Sequence, residues 1–239
     1  MKGIIFSAGL GTRLGDETRD KPKALVEVGG KPLLQHAIEK FVREGFSEVV
    51  VNVHHFSQQV MQFIRSRDFG IPVIISDESE SLLDTGGALK KAAPLLGADQ
   101  PVLVYNVDVL SNLYLPGLVR EHVRSGALAT LVVRNRKTER YFKFNSEKRL
   151  VGWVNIKTGD RLIAVPEAFE EAVEMAFSGI HIVSPEIFNL MPGEERFSIV
   201  NLYLSLAKDY LLKGYFDDSD LWIDVGKPRE LENARKLFI

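Results

Sequence analysis

The chain of 239 residues has no cysteine. That excludes disulfides, thiolate catalysis and thiolate zinc sites, and it fits a reducing compartment. An excess of either charge is also missing, since 30 Lys and Arg stand against 32 Asp and Glu for a net charge of −2. No overall field therefore favours nucleic acid or an anionic membrane, and an anionic ligand must be held by local groups. A long apolar run is lacking too: MKGIIFSAG enters a strand at once, without the core of a signal peptide or a membrane span. The expectation is a cytoplasmic protein whose partners are small molecules, with no nucleic acid, no membrane and an open oligomeric state. The five histidines form no spaced metal set, and no Gly-X-Ser-X-Gly elbow supports serine hydrolase chemistry.

What the chain has is a 45% hydrophobic composition, enough to bury the core of one α/β domain over residues 1–239. Near its start stands FSAGLGTRLGDETRDKPKAL, from Phe6 to Leu25. Ile4, Ile5 and Phe6 read as a buried strand, and Gly9 and Gly11 permit a tight turn whose N–H groups face a ligand. The turn is not a dinucleotide fingerprint, because Leu14 stands where the third glycine belongs and Gly15 comes one residue late. Nor is there a Walker loop, because Gly30-Lys31 is followed by Pro32. A glycine turn remains, with Arg13 and Lys23 spaced to wrap a polyphosphate.

Strands and helices alternate from there. Leu33, Leu34, Ala37, Ile38 and Phe41 recur at helical spacing until Gly45, and Glu48 to Val53 is a β-branched strand. The pattern predicts helices near Ser57–Arg65, Thr85–Ala93 and Leu115–Ser125, with strands at Val73–Ile75, Pro101–Tyr105 and Ala129–Val133. This order implies an α/β, Rossmann-like three-layer sandwich on a mixed, mostly parallel sheet, with its ligand site at the carboxyl ends of the strands. Residues of about 134–183 change texture: Tyr141 to Val165 reads as antiparallel hairpins, expected to form a lid or side wall. A strand over Glu174–Ile182, helices near Pro185–Leu190 and Ile199–Leu212, a strand at Leu221–Ile223 and a helix from Pro228 complete the reading.

Two aspartates follow apolar strand residues: Asp108 in VLVYNVDV and Asp224 in LWIDVGKP. Each suits a turn or helix cap, and each suits a hard cation, because Mg²⁺ takes oxygen ligands and often uses one or two carboxylates with phosphate and water. Thr85, Gly86 and Gly87 in LLDTGGALKK stand at a helix start, where close backbone approach can read a base or ribose, although a plain cap and hinge give the same letters. Gly179, inside the strand pattern FSGIHIV, marks a bulge or a contact between ligand and backbone.

Together these pieces resemble the sugar-1-phosphate nucleotidyltransferases, the nucleoside-diphosphate-sugar pyrophosphorylases. The resemblance runs nearly end to end, through AGLGTRL with Pro22-Lys23, DTGGA, NVDV, FSGI and WIDVGKP. It is strongest to the short N-acetylmuramate-1-phosphate uridylyltransferases and the mannose-1-phosphate guanylyltransferase-like proteins. The resemblance implies that the backbone of Ala8, Gly9, Leu10, Gly11 and Thr12 binds the nucleotide, with Arg13 on the β- and γ-phosphates and Lys23 at the α-phosphate. It implies Mg²⁺ on Asp108 and Asp224, and an NTP, UTP before GTP, reacting with a sugar 1-phosphate to give an NDP-sugar and pyrophosphate. Glu78 stands near the expected base-reading position, and Asn155, in GWVN, and Gly179 are assigned to the sugar. The chain departs from the family at Gly15, Asp16, Glu17 and Thr18, where two carboxylates enter a phosphate loop, and at Ala88, where relatives often carry a third glycine. A regulatory subunit that binds nucleotide sugars, and a cytidylyltransferase acting on a phosphorylated alcohol, are the competing readings.

Overall fold

A computed structural model describes residues 1–97 and 99–238. The chain begins with β1 (Lys2–Phe6) and passes through 3₁₀ segments at Thr12–Thr18 and Lys23–Leu25 to the short strands β2 (Glu27–Val28) and β3 (Lys31–Pro32). Then come α1 (Leu33–Arg43), β4 (Glu48–Val53), α2 (Ser57–Arg65), β5 (Val73–Asp77), α3 (Asp84–Leu96), β6 (Val102–Asn106) and β7 (Val109–Ser111). The second half adds α4 (Leu115–Ser125), β8 (Ala129–Arg134), β9 (Arg140–Phe144), β10 (Leu150–Asn155), β11 (Arg161–Ile163), α5 (Pro166–Phe169) and β12 (Val173–Val183). After a 3₁₀ turn at Pro185–Leu190 the chain forms α6 (Ile199–Leu206), β13 (Leu212–Phe216), β14 (Trp222–Asp224) and α7 (Pro228–Leu237).

Strand alternation divides the core into two layers of helices on one mixed sheet. On β1, Ile5 joins the cluster formed with α1, α2, α4 and α7, whereas its neighbour Ile4 faces the cluster that holds Leu89 and Ala92 of α3 and Leu202 and Tyr203 of α6. The β-branched run of β4 splits the same way, Val49 and Val51 to the first layer and Val50 to the second. This is the Rossmann-like sandwich expected from the sequence. Strands β5, β4, β1 and β6 lie side by side and parallel. The antiparallel strand β12 then joins β6 through its second half, β8 on both sides of a bulge, and β9 through its first residues. Strands β9, β10 and β11 continue as the antiparallel wall read from Tyr141–Val165.

The fold corrects three sequence assignments. The helix expected over Ile199–Leu212 ends at Leu206, and Leu212 opens β13, parallel to β8. Leu212 is fully buried in that pairing, so tertiary packing overrides the helical preference of the leucines. Pro185–Leu190 is a 3₁₀ turn rather than an α-helix. The short β7 is also new; it pairs with β14 in a separate two-stranded ladder that sets Asp224 opposite Val109. Among the described residues, no helix is long and apolar enough to cross a membrane.

Candidate active site

Parallel register brings the ends of four strands level. Phe6 is paired with Asn52 on one side and Asn106 on the other, and Asn52 with Ser76. The residues that follow, Ser7 to Arg13, Glu78, and Val107 with Asp108, therefore emerge at one edge of the sheet. They line a cavity of about 500 Å³ together with Asp84, Thr85, Arg196 and Gly226, a volume suited to a nucleotide-sized ligand.

One end of this cavity carries the charges. Lys23, buried on the Lys23–Leu25 turn, is ion-paired with Asp108, which sits in the tight turn between β6 and β7. The ladder of β7 and β14 then draws the second aspartate in: Val225 N–H donates to Asp108 O at 2.8 Å. Burial raises the Asp224 pKa, the Asp108 charge raises it further, and Lys23, Arg13 and Arg136 oppose the rise. Asp224 Oδ1 is buried without a hydrogen-bond partner. A Cβ on Gly226 would lie 2.6 Å from that oxygen and 2.9 Å from Arg13 Nη2, so a side chain there would push on both the guanidinium and the carboxylate. The two aspartates of the sequence are thus brought together with both cations of the glycine loop. No cluster of three or more metal-ligating His, Asp or Glu occurs among the described residues. An orphaned carboxylate oxygen beside a second carboxylate fits a Mg²⁺ that completes its shell with phosphate and water.

The glycine turn itself is held from behind. Thr18 is buried and donates from Oγ1 to Gly11 O at 3.0 Å. Glu17 turns away from the cavity to make a two-pronged ion pair with Arg235 of α7, at 2.7 and 2.9 Å. That hydrogen bond lowers the Glu17 pKa and fixes its charge outside. The unexpected acidic insertion is therefore a strut to the last helix.

At the other end, Asn52 organises the floor. Its Oδ1 accepts from Ser7 N–H at 2.6 Å, its carbonyl accepts from Ser7 Oγ, and its Nδ2 donates to Glu78 Oε1 at 2.9 Å. Glu78 is only 1% exposed; burial raises its pKa against the Asn52 hydrogen bond and the Leu83 backbone N–H. Thr85 lines the cavity. Gly86 and Gly87 do not: both N–H groups donate to Phe197 O, at 2.9 and 3.3 Å. A Cβ on either would overlap the 195–197 segment. These two glycines let α3 dock on that segment rather than present backbone to a ligand.

The hairpin wall divides the sugar-side assignments. Asn155 ends β10 and accepts from Lys157 N–H at 3.1 Å, so its side chain serves the hairpin turn and does not line the cavity. Gly179 lies at the β12 bulge, between the register points Phe177 and His181. Its φ is 73°, and an added Cβ would stand 2.7 Å from Asn106 Nδ2. The bulge read from the sequence is present, and it is filled by protein. Sequence reasoning missed Ser7, Asn52, Asn106, Arg196 and Gly226. Asn52 had a signal, a polar residue inside EVVVNV, where a buried strand position requires a partner.

Comparison with known proteins agrees with this geometry. The family profile described as nucleotidyl transferase matches residues 2–238. The N-acetylmuramate alpha-1-phosphate uridylyltransferase of Caulobacter vibrioides is 35% identical over 237 residues, covering 95% of this chain and 92% of that protein. The mannose-1-phosphate guanyltransferase of Saccharomyces cerevisiae is 28% identical across 100% of this chain, which spans 65% of that longer protein. Among solved structures, HddC from Yersinia pseudotuberculosis complexed with GMP-PN superposes with a TM-score of 0.77 at 18% identity, over 100% of this chain and 99% of that one, a likeness of fold. The chain therefore belongs to the nucleotidyl transferase family, among the sugar-1-phosphate nucleotidyltransferases.

Proposed function

We propose that this enzyme joins UTP and a sugar 1-phosphate to give a UDP-sugar and pyrophosphate, with Mg²⁺ as cofactor. The observation that carries the reading is the convergence of Arg13, Lys23 and Asp108 in one cavity that also holds the buried carboxyl of Glu78, with Asp224 close enough for all three charges to act on it. UTP is placed before GTP because the relative matched over 92% of its own length is named a uridylyltransferase.

In this reaction a phosphate oxygen of the sugar 1-phosphate attacks the α-phosphorus, and the bond to the β-phosphate breaks, its electron pair leaving with pyrophosphate. No covalent nucleophile on the protein is needed, so the enzyme contributes position and charge. Arg13, exposed at the cavity mouth, reaches the leaving pyrophosphate. Lys23 shifts from Asp108 toward the α-phosphate as charge grows there. Asp108 and Asp224 would hold the Mg²⁺, which when bound draws negative charge off the triphosphate. Glu78, held by Asn52 in the lining of the cavity, would face the base.

The test is pyrophosphate release with Mg²⁺ from UTP, GTP, CTP, dTTP or ATP, each paired with the 1-phosphates of N-acetylmuramate, N-acetylglucosamine, glucose or mannose. Phosphocholine is an added acceptor, and Asp108→Asn is the control. Release with UTP and one sugar, lost in the variant, is expected. Tight nucleotide binding with no release from any pair would instead support a regulatory subunit.

A further inference from the structure

Arg13 and Lys23 meet the charge of the triphosphate, yet the incoming sugar 1-phosphate is itself an anion. Two cations near the site stand outside that role: Arg196, exposed along the cavity lining, and Arg136, packed in place beside Asp224. Arg136 follows β8, and its guanidinium lies 4.4 Å above the Trp222 ring. Its Nη2 donates to Phe177 O at 2.9 Å, beside the β12 bulge. Its Nε is buried without a hydrogen-bond partner among the described residues.

The position of Trp222 gives this geometry its direction. Trp222 and Asp224 are two residues apart on β14, so their side chains leave the same face of the strand. The indole is fixed in turn, because its Nε1 donates to Ser178 O at 3.0 Å. Arg136 thus lies on a rigid aromatic plate next to Asp224. Burial pushes the Arg136 pKa down, and the Asp224 carboxylate counters it more than any other charge. Even so, no ion pair joins the two among the described residues, and each keeps a buried polar atom unpartnered, Arg136 Nε and Asp224 Oδ1. An arginine free to move would close that gap with a two-pronged contact. Stacking and the Phe177 carbonyl hold it back.

Other cations on this wall are engaged. Arg134 is tied to Asp217 and, at 2.6 and 3.0 Å, to Ser219. Lys143 lies 4.4 Å over the Phe169 ring. A planar guanidinium stacked on Trp222 beside the Asp224 carboxylate, with an Nε–H that no group takes among the described residues, suits a phosphate monoester.

We propose that Arg136 binds the phosphate of the incoming sugar 1-phosphate, in the gap between the Trp222 ring and Asp224. It is a positioning residue for the acceptor and takes no part in nucleotide binding. The proposal rests on the transferase reading, and the two are tested apart.

Trp153 and Trp222 are the two tryptophans of the chain, so a Trp153→Phe background isolates the emission of Trp222. In that background, titration of the full chain with glucose 1-phosphate and with N-acetylmuramate 1-phosphate should change Trp222 emission, whereas the free sugars should not. Arg136→Met should weaken sugar-phosphate binding about tenfold to a hundredfold, the range of a hydrogen bond to a charged group. Affinity for UTP should stay within about twofold, and Arg136→Lys should recover only part of the loss. In turnover, the KM for sugar 1-phosphate should rise while that for UTP holds. Equal binding of sugar phosphates by wild type and Arg136→Met, or no binding by either, overturns the proposal. So does a parallel loss of UTP affinity. If wild type binds sugar phosphates through Arg136 but releases no pyrophosphate from any pair, the transferase reading fails and the Arg136 site stands.

Discussion

Lys23 and Asp108, 85 positions apart in sequence, form an ion pair at the mouth of the turn between β6 and β7. The pair sets a buried ammonium against a carboxylate that is itself suited to a metal. A lysine poised this way can exchange its partner for a phosphate without rebuilding the loop around it. Lys23→Ala is expected to lower turnover about a hundredfold to a thousandfold, the cost of removing one well-placed charge from a transition state. Pyrophosphate release, with a thermal melt to show that the fold persists, checks it; unchanged turnover would exclude the role.

Gly226 sets how closely Arg13 and Asp224 approach. Its buried Cα stands where a methyl group would press on both. Gly226→Ala should therefore displace one of them and cost about a hundredfold in kcat, as small misplacements at reacting centres do. Nucleotide affinity should change much less. A variant with wild-type kcat would show that the approach is incidental.

The acidic insertion should matter little to catalysis. Glu17 and Arg235 are part-exposed, and such pairs contribute about 0–1 kcal/mol, less in salt. Glu17→Ala is expected to leave UTP affinity and turnover within about twofold and to lower the melting temperature slightly. A large change in UTP affinity would place Glu17 in the binding loop after all.

His181 supplies a pH dependence of stability. It is 1% exposed among Phe6, Phe177 and Tyr203, and neither ring nitrogen has a hydrogen-bond partner among the described residues. Burial pushes its pKa down to about 3, and that of His122, held between Thr130 and Ser184, to about 4. Both fold neutral, so the stability they confer is present above the unfolded value near 6.5 and is lost as pH falls toward the folded values. The slope is at most about 1.4 kcal/mol per pH unit for each histidine. His181→Met should flatten this loss: its melting temperature relative to wild type should be higher at pH 5 than at pH 7. A constant difference across that range would refute the assignment.

Much of this site was legible because its parts are local. AGLGTRL, NVDV and WIDVGKP each combine a strand end with a turn; the ends of β1 and β6 meet in the parallel sheet, and β14 is brought beside them by its antiparallel pairing with β7. What sequence could not show is which partner each group meets. Gly86 and Gly87 read as ligand-facing until Phe197, more than a hundred residues later, takes their N–H groups. Asn155 looked free for a sugar, but a hairpin turn claims its side chain. Strand β13 begins at Leu212, the residue read as the end of a helix, and runs on through Lys213–Phe216 only because β8 is there to pair with it. Arg136 stood in a polar run whose only distinction is the tryptophan beneath it.

The small ladder between β7 and β14 has a consequence for biosynthesis. Asp108 emerges from the ribosome more than a hundred residues before its counterpart, and everything through β13 can be laid down while the second carboxylate is still absent. A domain folds as a unit, and its amino end is made first, so the two carboxylates can meet only once β14 and the last helix have left the ribosome. Competence arrives late and abruptly, when one three-residue strand locks beside another.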